Sequence, residues 1–283
     1  VFAFIEENRG RFRVTRLCEL LGVSRSGYYA WRCRGLSRHR AHDLVLMDAI
    51  KELHQGYQRC YGAARVHQAL RQKGLMCSRR RINRLMKELE IKPKTLGLYA
   101  WRPGQHEFYL AAGNQLKRSN PPIKKNEQWV GDFTYIKTGS GWLYHAAVMD
   151  LYTRKIVGWS FSRKRNAELT KSALKMALSR EVIEAACVFH SDQGIEYAAH
   201  DYRELVESAG MTRSMSRKGN PLDNAAMESF FGTMKAEAVH RQVYQSDIEA
   251  VAEIIAYIEF YNRDRLHSAL GYQSPENYEK LCA

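Results

Sequence analysis

The chain has 283 residues, 45% of them hydrophobic and 26% charged, enough for a full hydrophobic core and for two domains. No apolar run approaches the roughly 20 residues that cross a bilayer. The opening Val1–Ile5 is too short for a signal-peptide core and runs into Glu6 and Glu7, so no membrane span is indicated and a cytoplasmic protein is expected.

The net charge of +14 is uneven: residues 1–125 carry 26 Lys+Arg against 9 Asp+Glu, residues 126–283 carry 18 against 21. The first half is built to meet a polyanion, and nucleic acid rewards clustered Lys and Arg through counterion release. Residues 1–40 form a helix-turn-helix-like segment. Leu17, Leu20 and Leu21 make an apolar stripe, Gly22-Val23 supplies the turn, and Ser24 caps a helix bearing Arg25, Tyr28, Tyr29 and Trp31. A helical hairpin with solvated arginines is an equal reading of that segment. Residues 41–91 form a second helical unit, with helices over Asp43–His54 and Gly62–Gln72 and a third capped by Ser78. On the third, Ile82, Leu85, Met86 and Leu89 make a buried stripe. Arg79, Arg80, Arg81, Arg84 and Lys87 have no acid among them before Glu88; their mutual repulsion points to a helix that contacts DNA. Residues 92–127 are a proline-punctuated linker whose Lys124 and Lys125 are expected to meet phosphates.

From residue 129 the period changes to that of strands. Segments 129–137, 142–150 and 154–162 predict three consecutive strands, followed by a helix at 167–181, a strand ending at Asp192, a helix near 200–209 and a strand at 211–215. Helices at 223–240 and 247–262 close the order of a mixed-sheet α/β domain over 128–245, with a C-terminal helix and tail over 246–283. The six cysteines show no C-x-x-C pair and the histidines no zinc spacing, so reduced thiols and no zinc module are expected.

Three carboxylates stand out. Asp132 sits inside the apolar run Trp129–Ile136, Asp192 ends Ala186–Asp192, and Glu228 follows Asp192 by 35 intervening residues on the helix after Gly219-Asn220-Pro221. Carboxylates in apolar strands are costly unless paired, and a divalent cation is the usual partner. Two such ions can activate a nucleophile and neutralise charge growing on a phosphodiester. On the last helix Asp223 is the expected N-cap, and Asn224, Glu228, Phe231 and Lys235 share a stripe, with Ala226, Phe230 and Met234 opposite and toward the sheet. His190 and Gln193 flank Asp192, in structural or shaping roles.

Taken singly, each acid has an ordinary structural reading. Together with Trp129–Ile136, His190–Gly194, Ser216–Phe231 and the tail Tyr261–Pro275, they resemble the DDE transposases of bacterial insertion sequences, above all the OrfB-type proteins of the third insertion-sequence family. The similarity extends to Gly22–Tyr29 and Tyr61–Val66 but not to 97–120. It implies an RNase H-like catalytic core with a mixed five-stranded sheet and flanking helices, preceded by all-α helix-turn-helix domains. It implies catalysis and metal binding by Asp132, Asp192 and Glu228, with two Mg²⁺ or Mn²⁺ ions per site. Nicking would free a 3′-hydroxyl that attacks a second phosphodiester. Expected DNA contacts are Arg25, Arg79, Arg80, Arg81, Arg84, Lys124, Lys125, Lys218 and Lys235. Expected partners are the element's terminal inverted repeats, target DNA, further copies of the chain and an upstream DNA-binding part, fused or separate. A first residue of Val rather than Met accords with the downstream piece of a fusion, a trimmed chain or a non-standard start. A non-catalytic DNA-binding regulator and an RNase H-fold nuclease that does not join strands are the alternatives.

Overall fold

Alternating apolar residues between 128 and 162 build three strands, and two shorter ones join them. The computed structural model describes residues 1–35, 37–95, 121–183, 187–192, 194–215, 224–240 and 242–282. β1 (Gln128–Thr138), β2 (Gly141–Asp150), β3 (Ile156–Ser162), β4 (Val188–Ser191) and β5 (Thr212–Met215) form one sheet in the order β3-β2-β1-β4-β5. The β1–β2 and β2–β3 pairs are antiparallel; β1–β4 and β4–β5 are parallel. This is the expected mixed five-stranded sheet. The β4 ladder on β1 spans only Gln128 to Gly131, so β1 runs on beyond it toward a bridge between Thr138 and Tyr244.

Successive side chains of a strand point to opposite faces, so each face has its own core. Trp129, Ala146, Val148, Val157 and Phe189 pack beneath α7 (Ala167–Arg180), α8 (Ile195–Ala198) and α9 (His200–Ser208). Gly158 lets α7 sit close: a Cβ there would lie 2.2 Å from the Ala173 carbonyl oxygen. Val130, Ile136, Leu143, Ala147 and Met149 face α10 (Ala225–Met234), a π-helical turn at Lys235–Val239 and α11 (Asp247–Arg263). The expected single helix over 223–240 therefore changes pitch after Met234. The π segment turns Ala236, Glu237 and Ala238 inward together, and Glu237 meets Arg265 and the Tyr257 hydroxyl there.

N-terminal to the sheet lie α1 (Phe2–Asn8), α2 (Val14–Leu20), α3 (Arg25–Cys33), α4 (Arg38–Gly56), α5 (Ala63–Gln72) and α6 (Arg79–Glu88). The Ser24 hydroxyl accepts from the Gly27 N–H and Ser78 from the Arg81 N–H, as their sequence positions predict. α4 starts five residues before the predicted Asp43, because Ser37 caps it through the Arg40 N–H. α1 to α3 enclose a small core of Ile5, Leu17, Cys18 and Tyr28. The inner faces of α4, α5 and α6, with Leu46, Ile50, Val66, Leu70, Ile82 and Leu85, join the same apolar cluster as the α10 face of the sheet. A 3-10 turn at Ser268–Leu270 and α12 (Pro275–Cys282) end the chain's described part; neither was anticipated. Of the expected linker, residues 96–120 lie outside the described residues. Among the described residues no helix is long and apolar enough to cross a membrane.

Candidate active site

The site begins where the β1–β4 ladder stops. Gly131 pairs with Ser191, and the next residue of each strand is an acid, Asp132 on β1 and Asp192 after β4. Alternation sends Asp132 to the same face as Val130, the face that α10 covers, and Asp192 to the corresponding side of β4. Gly131 points the other way, under the Phe189 ring, where a Cβ would come within 2.5 Å of the ring. A side chain at 131 would displace the buried Phe189 ring.

α10 is seated by Met227, Phe230, Phe231 and Met234, all buried. This corrects the expected stripe: Phe231 turns inward with Phe230, edge-on to the His145 ring, rather than lying out with Glu228. Asn224, the residue before the helix, is buried beside Asp132, and its side chain hydrogen-bonds that carboxyl. Glu228 occupies the first turn of α10 and is exposed. Asp223, Lys218 and Gln193 lie outside the described residues.

Burial pushes the Asp132 carboxyl up to about 7; the Phe133 N–H, 2.8 Å from Oδ1, opposes the rise, and the charges of Asp192 and Glu228 add to it. Asp132 thus feels both other acids. Burial also raises Glu228. Asp192 is held by the Gly194 N–H at 2.9 Å from Oδ1. The Asn224 Oδ1 is buried without a hydrogen-bond partner, an oxygen that a cation or water would satisfy. The donor set is therefore hard oxygen, collected at one corner, with an excess of negative charge and an orphaned acceptor, which suits a magnesium-type ion. As the side chains stand, no three His, Cys, Asp or Glu among the described residues are close enough to hold one ion.

Two integrase core domain models match, over residues 122–221 and 209–275, and an HTH-like domain model matches residues 41–97. The chain is 40% identical over 272 residues to the insertion element IS600 uncharacterized 31 kDa protein of Shigella sonnei, covering 94% of this chain and all of that one. It is 36% identical to the transposase for insertion sequence element IS904 of Lactococcus lactis, over 86% of this chain and 97% of that one. The transposase InsF for insertion sequence IS3A of Escherichia coli is 33% identical, over 98% of both chains. The chain belongs to the insertion-sequence transposases.

The basic residues of this transposase divide into two groups. Arg81 and Arg84 do not stand as free cations on α6. Each guanidinium lies 2.7 Å from the buried Asp43 carboxylate of α4, and Arg81 also reaches the His39 carbonyl. Their two hydrogen bonds hold Asp43 at about 2, so the pair fastens α6 to α4. The expectation of five mutually repelling cations overlooked an acid two helices away. Arg25, Arg79, Arg80 and Lys87 remain exposed, and Lys124 and Lys125 are exposed too, Lys125 in an ion pair with Glu279 at 2.9 Å. Lys235 starts the π segment with its ammonium 4.6 Å from the Tyr135 ring centre. Two neighbours of the site have no role assigned from the sequence. One is Asn224, whose position on the Glu228 stripe was the available signal. The other is Arg165, 4.8 Å over the Phe133 ring and paired with the buried Glu196, whose only signal is the basic run Arg163-Lys164-Arg165.

Proposed function

We propose that this transposase is a polynucleotidyl transferase that cleaves DNA at insertion-sequence ends and joins the freed 3′-hydroxyl to target DNA, with Asp132, Asp192 and Glu228 holding two Mg²⁺ or Mn²⁺ ions. One observation carries the reading: the β1–β4 ladder ends at Gly131 and Ser191, so Asp132 and Asp192 leave adjacent strands side by side, and the half-buried Asp132 carboxyl is raised by desolvation and by the charges of Asp192 and Glu228. Uncompensated negative charge of this kind is stabilised by a cation. When bound, the ions would supply a deprotonated nucleophile and neutralise charge on the phosphate and leaving oxygen.

The chain's own groups set the geometry around that chemistry. The Phe133 N–H and the Asn224 amide fix the Asp132 carboxyl, and the Gly194 N–H fixes Asp192. Seating of α10 on the sheet by Met227, Phe230 and Met234 sets where Glu228 starts from. Exposed Arg25, Arg79 and Arg80, with Lys124 and Lys125, are the phosphate contacts this reading assigns; Lys218 and Lys235 are assigned to DNA nearer the acids. Joining needs two DNA ends held together, which makes a multimer on DNA part of the proposal.

Glu228→Gln keeps the shape of α10 and removes the charge. The expected outcome is loss of nicking and of strand-transfer joints on end-containing DNA in Mg²⁺, with binding of the same DNA in a gel shift unchanged. Full nicking by the variant removes Glu228 from the mechanism; nicking without joints by the natural chain reduces it to a nuclease.

A further inference from the structure

Behind Asp132, the opposite face of β1 carries a row of rings that the cleavage reading does not use. Phe133, Tyr135 and Lys137 alternate on one face of β1, and register places Tyr144 across from Tyr135 and Trp142 across from Lys137. Farther back, this face is covered by α7 and α9. Toward Thr138 it is uncovered: Tyr135 is 55% and Trp142 53% exposed, two large rings in a T-shaped contact at 5.2 Å. Arg165 lies over Phe133 at 4.8 Å and Lys235 over Tyr135 at 4.6 Å, and Lys137 is exposed at the far end of the row. Phe133 follows Asp132 directly but points to the other face, so the row starts behind the candidate catalytic carboxylate and extends along the strand for roughly 13 Å at the usual rise.

We propose that Tyr135 and Trp142 form a stacking platform for unpaired bases of the DNA strand that passes the cleavage site, with Lys137 and Lys235 meeting its phosphates. The proposal rests on the DNA-processing reading above and adds a subsite to it. Exposed rings flanked by Lys137 and Lys235 fit a polyanion that offers flat π faces, and stacking tolerates any base. Exposed aromatic pairs also occur at protein interfaces. Here an isologous contact would lay this patch on its own copy and bring the lysines of two like-charged patches together, which disfavours that occupant. Strands unpair at modest cost near a duplex end, and an unpaired strand that rounds β1 beyond Gly131, where the β4 ladder stops, would pass from the acids' face to the platform.

The test is binding of a fluorescent oligothymidylate strand and of an abasic strand of equal length, without divalent metal, by the natural chain and by Trp142→Ala, Tyr135→Ala and Trp142→Phe. The abasic strand keeps the phosphates and lacks the π faces. The natural chain should prefer oligothymidylate, Trp142→Ala and Tyr135→Ala should each lose roughly tenfold or more of that affinity, and Trp142→Phe should keep most of it. Binding of the abasic strand should be unchanged throughout. Equal binding of the two strands by the natural chain, or alanine variants that bind oligothymidylate as well as it does, overturns the proposal. So does a Trp142→Ala variant that changes only the oligomeric mass. Both rings are half exposed, so folding is checked by an unchanged thermal melt and by the phenylalanine variant. Nicking by the same preparations in Mg²⁺ is scored separately: base-dependent binding without nicking sinks the catalytic reading and leaves the platform standing.

Discussion

At Asp132 burial and the neighbouring negative charges act in one direction, and the consequence is measurable without metal or DNA. The folded-state value of about 7 lies above the ordinary 3.8. Between these values the folded chain keeps a proton that the unfolded chain has released, so stability falls as pH rises through the window and stays low above it. About three pH units correspond to at most about 4 kcal/mol. Asp132→Asn removes the titration while leaving an oxygen for the Phe133 N–H. The metal-free variant should melt well above the natural chain at pH 8 and close to it at pH 4; equal melting temperatures at pH 8 would show that the carboxyl is not desolvated. Much of this residue was legible in the sequence, because an acid flanked by Val130, Phe133 and Ile136 on a period-two strand has to be partly buried. The partner of Asp132 was not: Asn224 is far along the chain, and its role depends on α10 lying across the sheet. Likewise the part Arg81 and Arg84 play in fastening α6 to α4 was hidden, because Asp43, which sits between them, lies some forty positions earlier.

Elements were read from two periodicities, and those periods hold wherever one face of an element is buried. β1, β2 and α7 fall within two residues of their predicted limits: β1 alternates buried and exposed from Thr134 to Thr138, β2 is a run buried on both faces from His145 to Asp150, and α7 buries one stripe. Periodicity is silent where the backbone leaves its regular pitch. The π turn after Met234 keeps helical side-chain order locally, and only the burial of Glu237 against Arg265, both almost without solvent contact, marks it. Close approach of elements is also invisible to pattern, apart from small residues. Gly158 is such a case. With the Ala173 carbonyl 2.2 Å and the Ala177 nitrogen 2.7 Å from a built Cβ, both backbone atoms of α7, no flexible side chain can yield. Gly158→Ala should therefore lift α7 from β3, costing about 1–3 kcal/mol as overpacking does, read as a lower urea midpoint. An unchanged midpoint would show that α7 is not seated against that strand.

Over the whole molecule, the helical unit of α4 to α6 and the sheet domain are joined by contacts that no local pattern encodes. Tyr61, which precedes α5, is fully buried; its hydroxyl accepts the Leu266 N–H at 2.7 Å and donates to the Asp264 carbonyl at 3.2 Å. Arg65 adds a bond from Nε to the Leu266 carbonyl at 3.1 Å, and Gln72 one to the Tyr272 carbonyl. Between Asp264 and Leu266 lies Arg265, whose guanidinium pairs with Glu237 at 2.7 Å in the π turn that continues from the Glu228 helix. The segment 264–266 therefore links the HTH-like unit on one side to the helix bearing the candidate acid on the other. Tyr61→Phe keeps the ring and deletes only the hydroxyl, leaving the Leu266 N–H buried without its partner at a cost of about 1–3 kcal/mol. Because the inner faces of α4 to α6 share one apolar cluster with the sheet, the loss should be felt by the chain as a whole. The expected result is one urea transition, seen alike by far-UV and near-UV circular dichroism, moved to lower denaturant with an unchanged slope. Two transitions in the natural chain, with only the earlier one moved by Tyr61→Phe, would mean that the HTH-like unit folds apart from the catalytic sheet and that the 264–266 segment does not couple them.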